Sequence, residues 1–179
     1  MAAVARTITD DQLDNKTPCT EYDVRALLNH LLFWGPSLAG AGRKESVPQP
    51  AVAESDVQLA DGDWRGRLLA VLDDIASSWA PASASEGETS MGTPQLLPAS
   101  VMADMIAGEL AVHGWDLAVA TGQRLELPAD LLAHLHATIT AGVEQGRAMG
   151  MYGPQVAVSP DAPTWDRVLG LTGRDPAWA

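Results

Sequence analysis

Three side chains in this sequence have types and spacings that suit chemistry on a metal ion: His30, Glu109 and His113. Glu109 and His113 stand four residues apart in Gly108-Glu-Leu-Ala-Val-His-Gly-Trp-Asp-Leu-Ala118. Four residues advance an α-helix by about 400°, so the two side chains share one face, one turn apart. His30 lies in a separate apolar stretch that could face them from another helix. Two imidazoles and one carboxylate are a common set of zinc ligands, and three protein ligands leave a coordination position open. The same set also suits iron or nickel. A glutamate on an apolar helix needs a partner, because an unpaired buried carboxylate costs several kcal/mol, and a cation is one such partner. In the plainer alternative, Glu109 and His113 pair with each other or face solvent and His30 is a satisfied core histidine; spacing alone leaves both open. Asp116, one turn beyond His113, could orient that imidazole from behind, or could cap or pair locally.

Other chemistry-bearing residues carry weaker signals. His134 and His136 are two apart, point to nearly opposite sides of a helix and read as surface residues. Asp73 and Asp74 are adjacent rather than stacked and read as a solvated face. Cys19 precedes a helix start, where a thiolate would gain some stabilisation, but a small apolar filler is its simpler role. The sequence has no glycine-rich phosphate loop, no H-E-x-x-H protease motif and no defensible Ser-His-Asp set.

The elements that must position the trio are helices. Thr20, with Asp23 three residues on, resembles a capping box. From there Val24, Leu27, Leu28, Leu31, Leu32 and Trp34 repeat at helical spacing to about Leu38, with Gly40 and Gly42 as punctuation. Residues 43–61, with Pro48 and Pro50, read as a connecting loop. A second helix is expected over Trp64–Trp79. Residues 81–98, small and rich in Ser, Gly and Pro, read as a long loop with a short ordered turn at Met91–Leu97, a length that is often functional. A third helix spans Ala99–Ala120 and stops at Gly122, a fourth covers Ala129–Met149, and a short one runs over Thr164–Leu171. The only strand-like pattern is Gln155–Val158. The pattern predicts an all-α protein, a four-helix bundle with long crossover loops.

Composition bounds the rest. At 179 residues with 46% hydrophobic and 19% charged residues, the chain reads as one folded domain spanning residues 1–179. A net charge of −12 and no basic cluster denser than Arg65 with Arg67 argue against nucleic acid as a partner. A single cysteine forbids an intrachain disulfide and fits a reducing cytoplasm. Met1–Asp11 lacks a signal-peptide core, and no apolar run approaches the ~20 residues needed to cross a membrane.

Two longer stretches are recognisable. Thr17-Pro-Cys-Thr-Glu-Tyr-Asp-Val-Arg-Ala-Leu-Leu-Asn-His-Leu31 and Gly108-Glu-Leu-Ala-Val-His-Gly-Trp-Asp-Leu-Ala-Val-Ala-Thr-Gly122 resemble the actinobacterial DinB-like metal-binding family, similar to the N-terminal domain of mycothiol-dependent maleylpyruvate isomerase. Gly153-Pro-Gln-Val-Ala-Val, Asp161-Ala-Pro and Gly173-Arg-Asp-Pro176 extend the likeness over nearly the whole chain. The resemblance implies a DinB-like four-helix bundle holding a divalent metal, usually Zn2+, on His30, Glu109 and His113. It further points to an enzyme that joins a low-molecular-weight thiol such as mycothiol to a small electrophilic substrate, by S-transfer or isomerisation. Alternatives are another metal-dependent reaction, such as hydrolysis or a biosynthetic cyclisation, and a non-catalytic bundle with a structural metal.

Departures from the pattern shape these expectations. The maleylpyruvate isomerase has a further C-terminal domain contributing to its active site, which is missing here, so that particular isomerisation is not expected. Relatives begin with a full first helix, whereas only Met1–Ile8 precedes the acidic turn at Asp10 and Asp11. Either the start is truncated or the short helix leaves apolar surface for a second subunit, giving a homodimer. Tyr22 stands where many relatives have Trp. Trp34, Trp115 and the 81–98 loop are candidate pocket walls.

Overall fold

The computed structural model describes every residue except Ser46, Gln49 and Ala179. Six α-helices carry the fold among the described residues: α1 (Ala2–Thr7), α2 (Val24–Arg43), α3 (Trp64–Trp79), α4 (Ala99–Ala120), α5 (Ala129–Ala148) and α6 (Thr164–Leu171). The protein is an all-α bundle. Among the described residues, one small sheet pairs β1 (Glu88–Thr89) antiparallel with β2 (Leu97–Pro98), Glu88 opposite Pro98 and Thr89 opposite Leu97.

Helix α4 is the axis. Ala99, Met102, Ile106, Ala111, Val112, Leu117 and Ala118 are all buried, around its full circumference. A helix apolar on all sides must be surrounded, and α4 packs against α1, α2 and α5. Val24, Leu27, Leu28 and Leu31 of α2 meet Leu68 of α3 and Leu117 of α4 in the largest core cluster. On α5, Leu135, Ile139 and Val143 form one stripe that packs on Ala111 of α4 and Val168 of α6. Val4, Ala5 and Ile8, from α1 and the residue after it, are buried in the main core. The short first helix therefore does not leave these apolar side chains exposed.

Two expectations about α2 need correcting. Its N-cap is Asp23, whose Oδ1 accepts from the Ala26 amide at 2.8 Å, and not Thr20. The Thr17 hydroxyl donates to the Tyr22 carbonyl at 2.6 Å and closes the turn that precedes the helix. At the other end α2 runs through Gly40 and Gly42 to Arg43. A Cβ on Gly42 would lie 2.9 Å from the Ser78 carbonyl oxygen, so this glycine serves the close approach of α2 to α3 rather than a helix stop.

Helices α3, α4 and α6 keep their expected bounds, and α5 ends one residue early, at Ala148. In the 43–61 loop, Glu54–Asp56 form a 3-10 turn. The 81–98 loop is more ordered than expected, with a 3-10 turn at Ala82–Ser85 ahead of the β1–β2 hairpin. The Thr89 hydroxyl anchors that hairpin by donating to the Ala41 carbonyl of α2 at 2.6 Å. Gln155–Val158 forms no strand; it is held instead by the Val156 amide donating to Gly170 at 3.0 Å.

Candidate metal centre

Helices α2 and α4 bring the three sequence-selected residues together. His30 Nε2 lies 2.9 Å from Glu109 Oε1, and His113 Nε2 lies 3.3 Å from the same oxygen. Ligand atoms of all three fall within 4.8 Å of one another. The imidazole rings meet edge-on, their centroids 5.4 Å apart.

The far nitrogen of each imidazole is also held by a carboxylate. His113 Nδ1 lies 2.9 Å from Asp116 Oδ2, so Asp116 stands behind His113, fully buried. His30 Nδ1 lies 3.1 Å from Glu54 Oε2, and the Trp34 indole N–H fixes that same oxygen by donating to it at 2.9 Å. The Tyr22 hydroxyl is 3.3 Å from His30 Nδ1. Asp116 is balanced by Arg174, whose Nη2 donates to Oδ2 at 3.0 Å with both side chains buried.

Glu54 and Arg174 are the parts sequence reasoning missed. Glu54 reaches the site from a loop with no periodic pattern to place it. Arg174 had one signal, the Gly173-Arg motif. Gly173 has φ of +86°, and a Cβ there would lie 2.8 Å from Gly153 Cα, so only glycine lets the chain turn Arg174 towards Asp116.

Electrostatics follow from the crowding. Burial would raise the Glu109 carboxyl, but His113 and His30 outweigh it and hold Glu109 well below the usual carboxylate range. Burial likewise opposes charge on His113, yet Glu109 and Asp116 raise its pKa to about 9. His30 is raised too, against its own desolvation, by Glu109 and Glu54. Tyr22 is pushed up to about 12, first by burial and then by Glu54.

These residues fit a divalent cation. If Glu54 and Asp116 accept the Nδ1 protons, both Nε2 atoms turn lone pairs towards a carboxylate oxygen. Acceptors 2.9 Å and 3.3 Å apart repel unless a proton or cation lies between them. Tetrahedral zinc at ~2.0–2.1 Å from each ligand would separate ligand atoms by roughly 3.3 Å, close to what is seen. A second grouping, Cys19 with His113 and Asp116, also has its donor atoms within 4.8 Å. It suits a cation less well, because Arg174 already neutralises Asp116.

The trio opens on a cavity of about 890 Å³. Cys19, Tyr22, Trp34, Glu54 and Arg174 line it, and Met91 is what the 81–98 loop contributes. Trp115 is buried and absent from the wall. Cys19 lies four residues before the α2 cap, and burial pushes its thiol up, so the expected thiolate stabilisation is absent. His134 pairs with Asp104 at 2.6 Å on the exposed face of α5, away from the site, and Asp74 pairs with Arg43 at 2.7 Å. Among the described residues, no helix is long and apolar enough to cross a membrane.

Comparison with known proteins gives the family. Two uncharacterized proteins of Mycobacterium tuberculosis, from strains CDC 1551 / Oshkosh and ATCC 25618 / H37Rv, are each 27% identical over 130 residues, which is 73% of this chain. The chain spans 66% of the length of these curated relatives. No solved structure matches it. The family model for the mycothiol maleylpyruvate isomerase N-terminal domain matches residues 1–118, a span that takes in His30, Glu109 and His113, and the chain belongs to that family.

Proposed function

We propose that the protein is a metal-dependent enzyme that brings a low-molecular-weight thiol, mycothiol by family membership, to a small electrophilic substrate. One observation carries this reading: two imidazoles, each held from behind by its own carboxylate, converge on a single oxygen of Glu109 at the edge of a large cavity. His30, Glu109 and His113 would hold the cation, most simply Zn2+. When bound, such a cation lowers the pKa of a coordinated thiol and so supplies a thiolate at neutral pH.

The chain's own residues prepare that position. With a cation on the Nε2 side, Asp116 and Glu54 would accept hydrogen bonds from Nδ1–H of His113 and His30 and so commit both Nε2 atoms to the cavity side. Arg174 holds Asp116 in place. Tyr22, held protonated by its raised pKa, offers a hydroxyl beside His30. Trp34 both fixes Glu54 and walls the cavity against water.

The test is an assay of the zinc-loaded full chain against a panel of small electrophiles, with mycothiol and with no thiol. Turnover that requires mycothiol and disappears in His30→Ala supports the reading. Turnover without any thiol assigns a hydrolytic or cyclising reaction instead. No turnover, with chelation strongly lowering the melting temperature, assigns a structural metal.

A further inference from the structure

The cavity wall beyond the metal-ligand trio is selective in composition. Of the six methionines in the chain, five (Met91, Met102, Met105, Met149 and Met151) line this one cavity. Methionine is unbranched and polarizable, and surfaces rich in it adapt to varied apolar ligands.

Placement is as informative as number. On α4, Met102, Met105, Ile106, Glu109 and His113 all line the cavity, at the i, i+3, i+4, i+7, i+11 spacing of a single face. On α2, His30, Trp34 and Leu38 line it at spacings of four. The stripes run in opposite directions: His30 meets Glu109 at one end, and Leu38 meets Met102 and Ile106 in a buried cluster at the other. Between the ends lies an apolar lane walled by Trp34, Met105 and Ile106. Seven residues separate Met102 from Glu109, so the lane is about 10 Å long. Met149, 58% exposed, offers a further apolar contact on the cavity wall.

We infer that the substrate of this site carries an extended apolar tail, which lies along the Met102–Glu109 face of α4 with its reactive head at His30, Glu109 and His113. The inference rests on the metal-site reading above and deepens it, since it names the substrate class: an amphipathic molecule with a straight alkyl chain or flat ring system about 10 Å long. A small, fully polar acid would leave the lane wet and its methionines unused.

The experiment titrates the zinc-loaded full chain with straight-chain hydroxamic acids from propano- to octanohydroxamic acid, and with the matching primary amides, by calorimetry. Affinity is expected to rise two- to fourfold per methylene, fourfold being the ratio that corresponds to ~0.8 kcal/mol, until the chain fills the lane. Hydroxamates should bind more tightly than amides of equal length. In Met105→Gln, one turn from Glu109, the longer members should weaken several-fold while propanohydroxamate is unchanged. A flat series in the wild-type chain, or an unaltered slope in Met105→Gln, overturns the lane. A chain-length slope with no hydroxamate advantage upholds the lane and instead overturns the metal reading, so the two failures are distinguishable.

Discussion

Glu109 Oε1 faces two imidazole nitrogens at once, and this shared oxygen sets the behaviour of the site. Without a cation, protons fill the gaps, which is why both histidines titrate high and Glu109 low. A cation must displace those protons. Zinc affinity, measured by competition with a chromophoric chelator, should therefore climb about tenfold per pH unit for each proton released as pH rises towards 9, where His113 titrates. In the metal-free protein the charged histidine acts in the opposite direction. His113 has a raised pKa, so its stabilisation is complete below about 6.5 and is lost as pH rises through about 9. Glu109 has a depressed pKa, so its contribution is present above about 4.5 and fades only in strong acid. The melting temperature of the metal-free chain should accordingly fall between pH 7 and 9.5. Asp116→Asn and Glu54→Gln should each lower zinc affinity about 10- to 100-fold, the range for partners that orient ligands.

At the scale of elements, two facts depend on where loops return. The shared face of Glu109 and His113 was legible in their helical spacing, while their convergence with His30 was only one of two readings until the family resemblance selected the three together. Glu54 and Arg174 were not legible, because loops bring them in and no period links them to their partners. The start of α2 was misjudged for a related reason. Thr20 and Asp23 are both residue types that cap helices, and the bond that makes Asp23 the cap, from the Ala26 amide to its Oδ1, is one that spacing cannot reveal. The close contact of Gly153 with Gly173 is the device that returns the C-terminal segment to the site. Gly173→Ala should cost about 1–3 kcal/mol from the positive φ and the steric overlap. It should also weaken zinc binding, through displaced Arg174 and Asp116; calorimetric melting and the chelator competition read these two effects separately.

Over the whole molecule, the apolar cores are arranged around α4, and the site occupies the break between them. One cluster joins α2, α3 and α4 with the N-terminal segment, and another joins α4, α5 and α6. The cavity opens where loops, rather than a further helix, cover α4, so one helix can carry both core residues and candidate ligands. The most direct test of the account is whether this cavity edge binds a cation through the three named side chains. Isothermal titration of the chelator-treated chain with zinc should give one site per chain of submicromolar affinity at about pH 7.5. His30→Ala and His113→Ala should each lose at least about 100-fold while keeping the helical circular dichroism of the parent. Zinc binding unchanged in both variants, or no binding by the parent chain, would contradict the account.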